Sequence, residues 1–183
     1  MPEIHELIRN RWSPSQLLDK PVEPEKLHTL FEAARWAASS FNEQPWRFIL
    51  ATKAEPENFQ RVLGLLIDKN QAWAKTAWAI GFSCGKKIFT LNGVANRFAL
   101  HDTGAATANL AIEATALGLR CHFMGGFFAD KAREAFHVPD EFEIGAAFAI
   151  GYIDEESVRP GDRKRRPVEE TVFSGDWGLP AQF

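Results

Sequence analysis

The sequence predicts a single α/β domain in which a sheet lies between helical layers. Segments with strand and helix periodicity alternate along the 183 residues, of which 45% are hydrophobic and 25% charged. These proportions are ordinary for a globular protein with a sizeable core. Alternation of strands and helices favours a sheet covered by helices. We therefore expect residues 1–183 to form one domain.

The first half of the chain contains two predicted helices before its first strand. Apolar spacing predicts a short helix at Ile4–Asn10 and a longer one at Pro24–Ala38. Pro45 disfavours helix at the residue before it, so the chain must turn there. Alternating apolar residues then predict a strand at Trp46–Ala51. Two more predicted elements follow, a helix at Glu57–Lys69 and a strand at Thr76–Cys84.

The second half is dominated by a long predicted helix at Asn96–Leu119. From Thr103 onwards its only charge is Glu113, and it is rich in Ala and Gly. A helix that is apolar on most sides is buried on most sides, and we expect a second copy of the chain to cover part of it. The remaining predicted elements are strands at Cys121–Met124, Ile144–Ile153 and Val168–Phe173, and a helix at Ala129–Phe136.

Charge and cysteine usage limit the classes of partner and compartment. The formal net charge of −3 implies no general affinity for nucleic acid or membrane surfaces. The N-terminus lacks the apolar core of a signal peptide, and no apolar run reaches the roughly 18 residues of a membrane span. Cys84 and Cys121 lie in apolar runs, so we expect buried free thiols in a cytoplasmic protein.

A polar corner between the second helix and the first strand is the first candidate site. Ser39, Ser40 and Asn42 place two hydroxyls and an amide where the chain turns before Pro45. Such groups can hold a polar ligand, although the same residues also cap ordinary turns.

The segment around Arg11 is the second candidate. Arg11, Ser13 and Ser15 alternate, so an extended chain points all three side chains to one side. A guanidinium with neighbouring hydroxyls suits phosphate and other oxygen-rich ligands. An exposed arginine beside helix-capping serines is the plainer interpretation of this spacing.

Three further segments carry weaker signals. Asn70 precedes an amphipathic stretch and could simply cap a helix. The pair Gly125-Gly126 gives a ligand access to backbone N–H groups, although most such pairs are plain turns. In the basic cluster from Arg159 to Arg166, Lys164 and Arg166 precede Pro167. A solvated charged loop is the plainer interpretation of that cluster, and the acidic net charge weakens the further option of a nucleic-acid patch.

Metal and nucleophile patterns point to no site. The five histidines have no ligand spacing such as His-Glu-x-x-His, so no metal site is expected. His101 and Asp102 are adjacent on a predicted helix, where neighbours do not face each other, so no dyad is expected. The glycine patterns of Rossmann dehydrogenases and the nucleophile elbow of α/β-hydrolases do not occur.

Taken in order, three segments closely resemble the nitroreductase family of FMN enzymes. They are Arg11-Trp12-Ser13, the corner from Ser39 to Phe48, and Lys164-Arg165-Arg166-Pro167. The resemblance implies an α+β fold, a three-layer α/β/α sandwich with a mostly antiparallel sheet. It also implies an intertwined homodimer with two FMN sites at the subunit interface. Ser15 and Trp73 stand where relatives often have a base.

The resemblance also implies a function and a set of binding residues. NADH or NADPH would deliver a hydride to flavin N5 and leave, and a nitroaromatic, quinone or similar electron-poor acceptor would then be reduced, with ping-pong kinetics. No side chain is assigned as catalytic, because the chemistry belongs to the flavin. The residues implied to bind the cofactor are Arg11, Ser13, Ser15, Ser39, Ser40, Asn42, Asn70, Gly125, Gly126, Lys164 and Arg166.

Two other functions remain open, and a lid and a C-terminal arm are also expected. A specialised flavin enzyme of the same fold, such as a dehalogenase, an enone reductase or a flavin-cleaving enzyme, would differ mainly in its lid, for which Phe82–Arg97 is the candidate. A flavin-binding sensor or storage protein without turnover is the alternative from another class. We further expect residues 174–183 to form an arm that packs on the partner subunit.

Overall fold

The computed structural model describes residues 3–154 and 164–182. Its centre is a four-stranded sheet in the order β1-β2-β4-β3, in which every neighbouring pair is antiparallel. The strands are β1 (Trp46–Thr52), β2 (Ala79–Lys86), β3 (Leu119–Met124) and β4 (Phe142–Tyr152). The α+β class and the antiparallel sheet expected from the resemblance are therefore confirmed.

Six α-helices accompany the sheet in the described residues. They are α1 (Glu6–Asn10), α2 (Pro24–Arg35), α3 (Pro56–Leu63), α4 (Asp68–Ala74), α5 (Ala99–Ala116) and α6 (Ala129–Ala135). Proline in the first turn of α2 and of α3 suits a helix start, because the missing N–H has no partner there in any case. Gly118, with φ of 74°, lets the chain leave α5 and enter β3 directly.

The two faces of the sheet have separate cores. Leu30 of α2 and Leu110 of α5 pack with Phe148 on one face. On the other face, Phe59 of α3 packs with Phe82. Each face of the sheet is thus covered by helices, which gives the predicted three layers. Cys84 and Cys121 are both free and buried, as expected.

The prediction of a single helix at Glu57–Lys69 was wrong, because the structure divides this stretch between α3 and α4. The break follows Gly64, whose amide donates to the carbonyl of Gln60 and closes α3. The Ile67 amide then donates to the Gly126 carbonyl at 3.1 Å, so a contact with a distant loop replaces the next helical turn. Asn70 consequently lies inside α4.

The predictions at Val168–Phe173 and Phe82–Arg97 also require correction. Val168–Glu170 is a short 3-10 helix, because the Val168 carbonyl accepts from the amides of Thr171 and Val172, and no strand forms there. The candidate lid begins inside β2, which continues to Lys86. Its remainder folds back on itself with a bridge between Ile88 and Ala95, and we call residues 87–98 the hairpin loop.

Candidate functional site

The predicted polar corner, residues 39–44, is a short 3-10 turn with an unusual backbone. Phe41, Asn42 and Gln44 have φ of 52°, 55° and 51°, in the left-handed region that residues other than glycine rarely adopt. Such conformations persist only where surrounding contacts determine them, and they concentrate at functional sites. The corner is therefore a place where the fold holds an unfavourable backbone in position.

Two hydrogen bonds from backbone amides to side-chain oxygens hold this backbone. The Ser39 hydroxyl accepts from the Gln44 amide at 3.0 Å and closes the turn on itself. The Ser40 amide donates to Asp102 Oδ2 at 2.9 Å, which joins the corner to the first turn of α5. Asp102 is only 3% exposed, so this bond lies out of water. From the sequence, Asp102 was considered only as the neighbour of His101, and its bond to the Ser40 amide was not predicted.

His101 and Asp102 do contact each other, so the expectation that they form no pair was wrong. His101 Nδ1 donates to Asp102 Oδ1 at 2.9 Å, while the imidazole itself stays mostly exposed to solvent. The rule against neighbouring helical residues concerns side chains pointing away from the helix. Here one oxygen of the Asp102 carboxylate contacts the neighbouring imidazole while the other accepts from the Ser40 amide.

A second connection joins the corner to the hairpin loop. The Glu43 carboxylate accepts from the Thr90 amide at 2.9 Å and from the Thr90 hydroxyl. Both bonds lower the pKa of Glu43 below its ordinary value of 4.5, and the bond from the hydroxyl has the larger effect. Beside this contact lies a cavity of about 280 Å³. Its lining is mainly apolar and comprises Phe41, Glu43, Phe89, Leu91, Asn92 and Val94.

The second group of predicted site residues lies at the opposite edge of the sheet, around β3. Asn70 Nδ2 donates to the Gly126 carbonyl at 2.9 Å, which fixes the loop that follows β3 against α4. A Cβ on Gly126 would come within 2.6 Å of Ile67 Cδ1, whereas one on Gly125 would meet nothing within 4 Å. Gly126 is therefore required for close packing, and Gly125 is not.

The Arg11 segment reaches the same edge. Arg11 Nη1 donates to Ser13 Oγ at 3.4 Å, and Ser15 is exposed. His122 Nδ1 donates to the carbonyl of Pro14, between those serines, at 2.7 Å. Burial raises the pKa of the neighbouring Cys121 thiol despite the opposing charge of Arg11.

An aromatic stack links this segment to α4. The Trp73 ring lies 4.5 Å from the His122 ring at an interplanar angle of 27°. We call Arg11, Ser13, Asn70, Trp73, His122 and Gly126 the β3-edge cluster. From the sequence, Trp73 was noted only as a departure from relatives and His122 had no assigned role, because no local pattern signals a stack between residues so far apart.

The predicted site residues thus form two groups, one at the corner and one at the β3 edge, while Lys164 and Arg166 belong to neither. The corner directly precedes β1 and the Gly125-Gly126 loop directly follows β3, so the groups lie at the two edges of the sheet. Three interstrand spacings, roughly 14 Å, separate those edges. Lys164 and Arg166 are exposed, and Arg166 lies 3.8 Å from Glu170. Arg159 and Arg163 of the same basic cluster lie outside the described residues.

Within residues 3–154 and 164–182, no group of three His, Cys, Asp or Glu side chains is arranged to hold a metal ion. Within the same residues, no helix combines the length and apolar character needed to cross a membrane.

Comparison with known sequences places the chain among related proteins. A Mycolicibacterium smegmatis protein, named only as an uncharacterized 15.4 kDa protein, is 33% identical over 135 residues, or 69% of this chain and 89% of that protein. A Ralstonia nicotianae protein with the provisional name NADH dehydrogenase/NAD(P)H nitroreductase is 27% identical over 161 residues, or 78% of this chain and 82% of that protein.

Solved structures with the same fold agree with the sequence comparison. A crystal structure described as an oxidoreductase containing FMN superposes with a TM-score of 0.89 at 34% identity, covering 97% of this chain and 94% of that one. A nitroreductase family protein from Clostridium difficile 630 has a TM-score of 0.76 at 28% identity, covering 93% and 97%. The family model for nitroreductases matches residues 8–152, so the chain belongs to the nitroreductase family.

Proposed function

We propose that this protein is an FMN-dependent oxidoreductase that passes electrons from NADH or NADPH to a nitroaromatic, a quinone or a similar electron-poor acceptor. The observation that carries the proposal is the β3-edge cluster. There, the Arg11–Ser13 segment, Asn70 and the Gly126 loop, from three separate parts of the chain, are linked at one end of β3. Each belongs to a segment that the family resemblance assigns to the flavin.

The donor set fits FMN chemically. Arg11 offers a charged donor beside the Ser13 hydroxyl, and Lys164 and Arg166 add exposed positive charge for a phosphate dianion. Ser13 and Ser15 suit the hydroxyl-rich ribityl chain. The residues that would line the flavin ring and the access route to it are Ser39, Ser40, Asn42, Asn70, Gly125 and Gly126.

Bound FMN would supply the redox chemistry, accepting a hydride from NAD(P)H and passing electrons to the acceptor. The protein's residues would bind and orient the cofactor, and no side chain is required as a general base. Because donor and acceptor would use one site in turn, we propose ping-pong kinetics.

The cavity between the corner and the hairpin loop supports an apolar, flat acceptor. Its volume of about 280 Å³ is near the lower end of small-molecule sites and suits one or two rings. Phe41 and Phe89 meet edge to face at 5.8 Å and offer aromatic walls. Glu43, whose lowered pKa keeps it charged at neutral pH, disfavours anionic acceptors.

We also propose that two copies of the chain build each flavin site. The corner and the β3-edge cluster lie at opposite edges of one sheet, and a second copy would bring one copy's corner to the other's cluster. Exposed small residues of α5, such as Gly104 and Ala108, suit close contact between copies. Residues 174–183 would form an arm on the partner, where Trp177 and Leu179, 92% and 57% exposed here, would be covered.

The experiment is an anaerobic absorbance titration of the purified protein with FMN, followed by NADH and, in a second cuvette, NADPH. The proposal expects FMN to bind and its absorbance to bleach with at least one donor. Binding without bleaching would support the sensor or storage alternative. Bleaching without turnover of nitroaromatics or quinones would support a specialised flavin enzyme. Absence of FMN binding would contradict the proposal altogether.

A further inference from the structure

A buried carboxylate stands behind the corner. Asp102 lies in the first turn of α5, and its side chain is 5% exposed. Its two oxygens accept from different groups, the Ser40 amide at 2.9 Å and His101 Nδ1 at 2.9 Å. The positive end of the helix dipole also favours a negative charge at this position. The carboxylate is therefore well accommodated, although α5 is otherwise almost uncharged.

Burying a charged group is costly unless its partners compensate for lost hydration. An apolar side chain would pack into the same layer without that cost. An apolar side chain, however, could not accept a hydrogen bond from the Ser40 amide, as Asp102 does. That amide begins the turn in which Phe41, Asn42 and Gln44 adopt positive φ.

We propose that Asp102 is a positioning residue for the cofactor site, acting through the Ser40 amide. The inference rests on the proposed function, since it gives a role to the corner that presents Ser39, Ser40 and Asn42. Without Asp102, the Ser40 amide loses its acceptor, and the left-handed residues that follow relax towards ordinary backbone conformations. The corner then samples many arrangements, of which only some place its polar groups correctly.

The first test requires no cofactor. Amide hydrogen exchange over residues 40–44 is compared in wild type, Asp102→Ala, Asp102→Asn and Thr103→Val. Alanine removes the acceptor, whereas asparagine keeps an oxygen of the same shape for the Ser40 amide. Thr103 is the matched control, because it is also buried and its hydroxyl bonds only within α5, to the Ala99 carbonyl at 2.7 Å.

We expect exchange at the corner to accelerate about tenfold or more in Asp102→Ala alone, the usual effect of one lost bond to a charged group. The Kd for FMN should rise about tenfold in the same variant and stay within about threefold of wild type in the other two. If Asp102→Asn keeps wild-type exchange and FMN affinity while Asp102→Ala does not, the effect comes from the lost hydrogen bond to Ser40 and not from a general loss of stability.

Two outcomes are distinguishable. Wild-type FMN affinity with unchanged corner exchange in Asp102→Ala would overturn the positioning role and leave the proposed function intact. Failure of the wild type to bind FMN would overturn the proposed function. If Asp102→Ala does not fold, Ser40→Pro and Ser40→Ala take its place, since only proline removes the amide donor. Equal exchange at residues 42–44 in those two variants would also overturn the role.

Discussion

The corner and the β3-edge cluster are built by different physical means. The corner depends on a few hydrogen bonds with distant residues, to Asp102 and from Thr90, which hold a strained backbone. The cluster depends on ring stacking and on close packing of Gly126 against α4. Changes at the cluster should therefore lower global stability, while changes at the corner should alter ligand affinity and leave the rest of the fold nearly unchanged.

The largest effect is expected from Trp73→Ala. The substitution removes the stack on His122 and leaves a gap beside the core, which should lower the free energy of unfolding by about 2 kcal/mol because Trp73 is only partly buried. Thermal unfolding should shift down by about 4–8 °C. Trp36→Ala is the control, since Trp36 is 76% exposed. Equal shifts in both variants would show that the stack does not hold the cluster together.

A pair of glycine substitutions sharpens the same comparison. Gly126→Ala should lower the free energy of unfolding by about 1–2 kcal/mol. The added Cβ would lie 2.6 Å from Ile67 Cδ1 and 2.8 Å from Asn70 Nδ2, so both side chains would have to move. Gly125→Ala, one residue away in open space, should have almost no effect. Thermal melts of both variants check this, and an equally stable Gly126→Ala would contradict the packing assigned to the loop.

Glu43→Gln tests the corner through pH. The folded-state pKa of Glu43 is lowered, so its contribution to stability is present above pH 4.5 and is lost as pH falls through the folded-state value. We expect the variant to melt about 2 °C lower than wild type at pH 7, and the difference to shrink below pH 4.5. A difference that is constant from pH 3 to pH 7 would exclude the carboxylate as its source.

The smallest signal is expected from the two thiols. Burial raises the pKa of Cys84 to about 11 and raises that of Cys121 as well, so both stay protonated at pH 8. A thiol-specific chromogenic reagent should label almost none of the native protein and both thiols of the unfolded chain. Rapid labelling of native Cys121 would show that the β3 edge opens more readily than its packing implies.

Much of the fold could be predicted because it depends on local pattern. Alternating apolar residues located β1, the apolar periodicity of α2 located that helix, and the long, nearly uncharged Ala- and Gly-rich run located α5, both helices to within a few residues. The break between α3 and α4 could not be predicted, since a contact between Ile67 and the distant Gly126 determines it. The Val168 region was misjudged because β-branched residues there suit a strand, while local backbone bonds form a 3-10 turn.

The candidate site could be predicted only as separate segments. Ser39, Asn70 and Arg11 were nominated from the resemblance, but their grouping into two edges depends on strand order. The contacts of Asp102 with Ser40 and of His122 with Pro14 were not predicted, because the two residues of each pair are far apart in the sequence. Hydrogen bonds between such distant residues leave no trace in a single sequence.

We propose that the corner of one copy and the β3-edge cluster of another build one FMN site, and a mixed dimer tests this directly. Two tagged chains, one carrying Asp102→Ala and the other Asn70→Ala, would be coexpressed and their hybrid dimer isolated through both tags. Each homodimer should bind FMN weakly, whereas the hybrid has one site with both substitutions and one with neither. One FMN of wild-type affinity per hybrid dimer is therefore expected. A hybrid with no site of wild-type affinity would contradict it.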